Sequence, residues 1–274
     1  MSRPPLVMGV LNVTPDSFYD GGRYESFDAA IVHGMKMADQ GADIIDIGGE
    51  STRPGASLLE AQDEIERVVQ VVKALSEETE SAISIDTRRT VVAGAALEAG
   101  AIMVNDVSAF TFDPDMPALL GRLKPLAVAM HMRGGPEDMQ SHTRYASLLD
   151  DVADELWNHA SRALAAGLPE DHLILDPGIG FAKTWRQNLV LINRLDVFGR
   201  FGRPLLVGTS RKSFIGRILG SLDPKDRLFG TAGAVAMAVA RGARVLRVHD
   251  VAEMTDVVQV AHAISASEIE DEAA

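Results

Sequence analysis

The 274-residue sequence has no cysteine. That excludes a disulfide framework, a thiolate nucleophile and any cysteine-ligated metal site. Positive charge is scarce as well: 26 Lys and Arg stand against 39 Asp and Glu, a net charge of −13, which opposes nonspecific attraction to nucleic acid or to an anionic membrane. The most apolar late stretch, Thr231 to Ala240, falls far short of the ~20 residues that span a bilayer. The short apolar run after Arg3 leads straight into Asn12-Val13-Thr14-Pro15-Asp16 and does not read as a signal sequence. Linkers, charge blocks and low-complexity segments are missing too. The expectation is one domain over residues 1–274, with an acidic tail from about residue 267 that frays, in a cytoplasmic protein without nucleic-acid or membrane partners.

What is present is apolar material: 46% hydrophobic against 24% charged residues, enough to fill a large core. It recurs as short runs rich in Val, Ile and Leu, at Leu6–Asn12, Asp43–Gly48, Ala82–Asp86, Ile102–Asn105, Leu126–Met130, Leu173–Asp176, Leu205–Val207 and Val245–Val248. Continuous apolar runs of this length fit parallel strands covered on both faces. Amphipathic segments separate or follow them, at Phe27–Gln40, Ala61–Leu75, Val91–Ala99, Leu148–Ala166, Asn188–Leu195, Ala232–Ala240 and Val251–Ile264. Gly41, Gly100, Gly167 and Gly242 fall where these helices should stop. Eight alternations in a chain of this length predict a single-domain (β/α)₈ barrel of the α/β class. A doubly wound open sheet also alternates, but its Gly-x-Gly-x-x-Gly fingerprint after the first strand is absent here.

In such a barrel the chemistry sits at the C-terminal ends of the strands, and there the polar residues collect. Asn12 ends the first run, Gly48 to Pro54 follow the second, and Asp86 and Asn105 end the third and fourth. His131 follows the fifth, Asp176-Pro177-Gly178 the sixth and Gly208 to Lys212 the seventh, while Arg247-Val248-His249 closes the eighth. Asp86, Asn105 and Asp176 should point into a partly desolvated mouth, where a carboxylate needs fixed donors. An amino-pyrimidine edge would supply them; pairing with a barrel Lys or Arg, or capping of the next helix, would serve instead. Arg53, Lys212, Arg247 and His249, with the hydroxyls of Thr52 and Ser210, form a complementary set suited to an anion. His131, between Met130 and Met132, reads as structural. The long polar loop from Asn12 to Gly22, with Phe18, Tyr19 and a Gly-Gly pair, has the character of a lid.

These segments resemble the dihydropteroate synthases, a folate-pathway family of pterin-binding barrels. The resemblance is carried by Met8 to Phe18, Gly41 to Pro54, Ser84-Ile85-Asp86-Thr87, Val104-Asn105-Asp106-Val107, Met130-His131-Met132, Leu175 to Lys183, Gly208 to Ser213 and Arg247 to Asp250. It implies a homodimeric transferase that joins hydroxymethyl-dihydropterin diphosphate to para-aminobenzoate and releases diphosphate. Its implied pterin residues are Asp86, Asn105, Met130, Asp176, Phe181, Gly208 and Lys212. Asn12, Thr52, Arg53, Arg247, Val248 and His249 would hold the diphosphate, with Mg²⁺ near Asn12; Phe18, Pro54, Ser210 and Lys212 would border para-aminobenzoate. Catalysis would fall to Asp86, Asp176, Lys212, Arg247 and His249, by dissociative substitution with no protein nucleophile. Two alternatives stay open at this point: a pterin-dependent methyltransferase domain and a catalytically silent pterin-binding paralogue.

Overall fold

Strand and helix alternate in the computed structural model, save for two successive helices before the last strand; it describes residues 3–13, 23–50, 59–221 and 223–267, with main chain only over 23–26. In order the elements are β1 (Leu6–Asn12), α1 (Arg23–Asp39), β2 (Ile44–Gly48), α2 (Ala61–Glu78), β3 (Ala82–Asp86), α3 (Thr90–Glu98), β4 (Met103–Asp106), α4 (Met116–Leu123), β5 (Leu126–Met130), α5 (Leu148–Ala165), β6 (Leu173–Asp176), α6 (Trp185–Asn193), β7 (Leu206–Val207), α7 (Ser213–Leu219), α8 (Leu228–Ala240), β8 (Val245–Val248) and α9 (Val251–Ser265). The strands are parallel neighbours in the order β6-β5-β4-β3-β2-β1-β8-β7. A bridge from Leu175 to Leu205 joins the two ends, giving the eight-stranded barrel that the alternation predicts. No helix among the described residues is long and apolar enough to cross a membrane.

The helix ends explain the four glycines expected there, three of which are followed by alanine. Gly41, Gly100, Gly167 and Gly242 all have positive φ, between 93° and 116°. The residue after each glycine donates its N–H back to the last turn: Ala42 to Met37, Ala101 to Ala96, Leu168 to Ala163 and Ala243 to Ala238, all at 3.0 Å. These are Schellman closures, which send the chain back toward the next strand. Two helices escaped the sequence reading, α4 and α7. Both are short, and α4 ends on Lys124 in the left-handed conformation instead of on glycine. Helix α6 starts earlier than expected because Thr184 and Gln187 form a capping box.

Two cores position the site. The larger lies between the strands' outer faces and the helices. The smaller fills the barrel itself with Met8, Ile44, Met103, Val128, Ile174, Leu206 and Val245, and Ala82 packs against it from β3. Because side chains alternate across a strand, the next inward positions toward the C-terminal ends are Asp46, Ser84, Asn105, Met130, Asp176, Gly208 and Arg247, and beyond them Gly48 and Asp86. An apolar plug therefore floors a polar mouth.

Candidate active site

At the mouth the strand register brings Gly48, Asp86 and Asn105 level and sets Met130 beside Asp176. Gly48 lies against Asp86, whose Cβ would be in ordinary contact, at 3.5 Å, with a Cβ there. Arg247 reaches across the barrel. Its Nε donates to Asp46 Oδ2 at 2.7 Å and an Nη to Asp86 Oδ2 at 2.7 Å, while Asn105 Nδ2 donates to the same Asp46 oxygen at 2.9 Å. Asp46 is fully buried and its Oδ1 has no hydrogen-bond partner. Burial drives the Asp86 carboxyl up, with Arg247 drawing it back and Asp46 raising it further. Burial works against the charge on Arg247, yet Asp46 and Asp86 raise its pKa. In the free barrel, then, the donors for Asp86 come from Arg247, the barrel pairing that the sequence left open. Arg247 is not aimed only at an anion.

Asp176 accepts from the Gly178 N–H at 2.7 Å. Burial raises its pKa, while Lys212 and the Gly178 N–H oppose the rise. Gly178 has φ +69°, and a Cβ there would meet the His131 carbonyl oxygen at 1.9 Å, so only glycine fits this turn. Lys212 donates its Nζ to the Ile179 carbonyl and sits 4.9 Å from the centroid of the half-buried Phe181 ring. Burial pulls its pKa down to about 8, against the pull of Asp176. A Cβ on Gly208 would lie 3.6 Å from Lys212 Nζ and 3.7 Å from Arg247 Cβ; the bare glycine leaves the space between the two cations open. Met130 is buried beside them.

Ser210 Oγ accepts the His249 N–H at 3.2 Å and lies 3.0 Å from His249 Nδ1, so the ends of β7 and β8 are tied together. Arg211, at φ 56°, turns away and pairs with Asp250, Nε to Oδ2 at 2.9 Å; that kink lets Lys212 face inward. Val248 is buried in the outer core, which leaves only its main chain to face a ligand. Asn12 is half-buried, level with Gly48. Thr52, Arg53, Pro54 and Phe18 lie outside the described residues. The base of the segment carrying the first three is held by charge: Leu59 N–H donates to Glu50 Oε1 at 3.1 Å, Arg88 meets Glu50 at 2.8 Å, and Arg89 donates to the Leu59 carbonyl.

Sequence reasoning missed Asp46 and Lys183. Asp46 was legible as the lone charge in Ile-Ile-Asp-Ile-Gly, two residues from the strand end and hence on the same face as Gly48. His131 is buried as expected, but it bridges Lys183 Nζ at 3.0 Å and Glu155 Oε2 at 3.1 Å.

A barrel whose mouth gathers inward carboxylates, an amide and half-buried cations from different strands and their following loops defines a small-molecule enzyme site. Residues 8–249 match the family model described as pterin binding enzyme. The chain is 47% identical over 258 residues to the dihydropteroate synthase of Synechocystis sp., covering 94% of this chain and 89% of that one. The structure of the Xanthomonas albilineans dihydropteroate synthase with 4-aminobenzoic acid superposes with TM-score 0.91 at 40% identity, over 97% of this chain and 94% of that one. The Yersinia pestis dihydropteroate synthase in a sulfonamide complex gives 0.90 at 39%, over 96% and 95%. The chain belongs to the dihydropteroate synthases, transferases of the folate pathway, within the pterin binding enzymes.

Proposed function

We propose that this chain joins hydroxymethyl-dihydropterin diphosphate to para-aminobenzoate, giving dihydropteroate and diphosphate, with Asp86, Asn105, Asp176 and Lys212 receiving the pterin and Asn12, Thr52, Arg53 and the end of β8 receiving the diphosphate. The observation that carries the reading is the desolvated polar layer on the apolar floor, where Asp86 and Asp176 face Arg247 and Lys212. The 4-aminobenzoic acid of the Xanthomonas structure supports the second substrate, and the Yersinia complex supports a sulfonamide competing for its place.

In the reaction the bond from the pterin methylene carbon to the diphosphate oxygen breaks, and the electron pair leaves with the diphosphate. The arylamine nitrogen then bonds that carbon and sheds a proton to solvent. Positive charge grows on the pterin methylene as the bond breaks, and carboxylates in a desolvated mouth stabilise it. Lys212, Arg247 and His249 stabilise the departing charge. The path is dissociative, and the protein supplies no nucleophile. Asn12 fits a magnesium ion as a single oxygen donor: among the described residues no three His, Asp or Glu side chains form a metal cage, as befits an ion that keeps water and phosphate oxygens as its other ligands. When bound, the ion supplies charge against the diphosphate. The test is para-aminobenzoate-dependent release of diphosphate, with Asp176→Asn lowering both rate and pterin affinity; an Asp176→Asn enzyme at full rate and affinity overturns the carboxylate's role.

The same reading includes a cytoplasmic homodimer. The chain's lack of cysteine fits a reducing compartment. Helices α6, α7 and α8 form an apolar groove of about 290 Å³ lined by Leu189, Phe214, Ile218, Leu219 and Met237, beside Phe229, which is 88% exposed. Val235, Ala238 and Val239 of α8 are buried instead. A second copy would cover this face. Sedimentation velocity should find a dimer that Phe229→Asp weakens; a wild-type monomer at micromolar concentration excludes it.

A further inference from the structure

The β6–α6 loop is the seat of Lys212, and it is irregular. Gly178, Gly180 and Ala182 all have positive φ, at 69°, 89° and 51°, so no helix or sheet ladder fixes it. It is held by individual pins: Asp176 on the Gly178 N–H, Asn188 on the Gly180 N–H at 2.7 Å, and Tyr145 Oη on the Ala182 carbonyl at 3.0 Å. Gln140 Nε2 adds a bond to the Gly180 carbonyl at 3.3 Å, and the Phe181 N–H one to the Gly178 carbonyl at 3.1 Å; a further pin is Lys183. Lys183 is buried, and its Nζ donates to the Phe181 carbonyl at 2.9 Å and to His131 Nδ1 at 3.0 Å. Burial pulls its pKa down to about 7, against the pull of Asp176, and the amine donates both bonds in either charge state.

His131 is suited to accept that bond. Its Nε2 faces Glu155 Oε2, which Arg133 Nε holds at 2.9 Å. A carboxylate at Nε2 keeps the proton there and leaves the Nδ1 lone pair for Lys183. Burial, with Lys183 adding to it, pulls the imidazole pKa down to about 4, which keeps the ring neutral. The His131 main chain is tied as well, its N–H donating to the Asp176 carbonyl at 2.9 Å. A chain of bonds thus runs from Glu155 near the surface through His131 and Lys183 to the Phe181 main chain. There the Ile179 carbonyl and the Phe181 ring carry Lys212.

We propose that Lys183 is a positioning residue for the pterin end of the site: braced on His131, it fixes the Phe181 main chain and through it the seat that holds Lys212 beside Asp176. The proposal rests on the synthase reading, and it places Lys183 in contact with no substrate. A purely structural lysine would affect melting alone; a positioning lysine affects pterin affinity in the folded enzyme.

The test is calorimetric titration of the full chain with 6-hydroxymethylpterin, alongside KM for each substrate and a melting curve. Wild type that does not bind the pterin counts against the synthase reading and not against this one. With wild type binding, Lys183→Met and His131→Leu should each weaken pterin about tenfold, the worth of one hydrogen bond to a charged group. The double variant should be no worse than either single one, because both break the same chain. His131→Asn keeps an acceptor near the Nδ1 position and should stay within about twofold of wild type. Folded Lys183→Met with wild-type pterin affinity overturns the proposal, as does His131→Leu matching His131→Asn. If the buried variants fail to fold, Glu155→Leu decides at the half-buried end. Freed of its carboxylate, His131 can move its proton to Nδ1, and pterin should weaken about threefold; unchanged affinity overturns the proposal there too.

Discussion

Replacing Arg247 by methionine tests the charge arrangement of the mouth most directly. The side chain keeps its bulk and loses both bonds, to Asp46 at 2.7 Å and to Asp86 at 2.7 Å. Asp46 has no water to fall back on, being fully buried. Breaking a buried pair from one side costs about 3–5 kcal/mol, because a charge remains uncompensated. For a chain of this size that is a fall in melting temperature of about 10 °C. The deficit should depend on pH, and its sign follows from Asp86. Burial already raises this carboxyl above its unfolded value of 3.8, with Arg247 opposing; without Arg247 it rises further. Well below pH 3.8 the carboxyl is protonated in both states and contributes nothing. As pH climbs, the unfolded chain gives up the proton that the folded variant retains, so unfolding becomes easier, and over a wider pH range than in wild type. The melting deficit should therefore be larger at pH 8 than at pH 5, read by paired thermal melts in matched salt. A midpoint unchanged at pH 8, or a deficit equal at both pH values, would refute this account of the mouth.

Two other expectations follow from single side chains. Lys212, with its pKa pulled down to about 8, should impose an alkaline limb on kcat/KM near pH 8 that Lys212→Arg moves upward. Since the unfolded lysine keeps its proton to about 10.5, the Lys212 contribution to stability rises over that window while activity falls; a limb that tracks unfolding contradicts the assignment. Gly178→Ala places a Cβ 1.9 Å from the His131 carbonyl oxygen at a positive φ, which should cost about 2 kcal/mol or more and weaken pterin binding; a variant that melts and binds like wild type removes the turn from the site.

The parts legible in the sequence were those written as pattern. Apolar runs gave the strands nearly residue by residue, because parallel strands covered on both faces cannot hide their composition. The glycines marked helix ends because the closure needs a left-handed residue followed by an N–H donor. Asp46 lies inside an apolar run and not at a strand end, so only the alternation of faces reveals it. The partner of Asp86 was equally out of reach: Arg247 is 161 positions away, and nothing local indicates whether its guanidinium faces an anion or spans two carboxylates. Lys183 lay within a recognised motif, but its bond to His131 depends on a loop of positive φ angles that no periodicity announces. The short α7 carries too few turns to show a stripe.

The plug beneath the site sets the energetics above it. With Met8, Ile44, Met103 and Val128 filling the barrel, the mouth has protein and not water on one side, so each charge there must find a partner nearby. The described carboxylates do so: Asp46 and Asp86 share Arg247, and Asp176 has Gly178 N–H with Lys212 facing it. The net −13 of the chain is therefore not felt at the mouth as a bare negative field. On the proposed reading, a pterin edge does not neutralise an isolated carboxylate here; at Asp86 it would exchange donors with Arg247, leaving only the difference between two sets of hydrogen bonds as affinity. On that reading, recognition depends on how well the mouth is held in place, and the loop that seats Lys212 is expected to influence pterin affinity without touching the ligand.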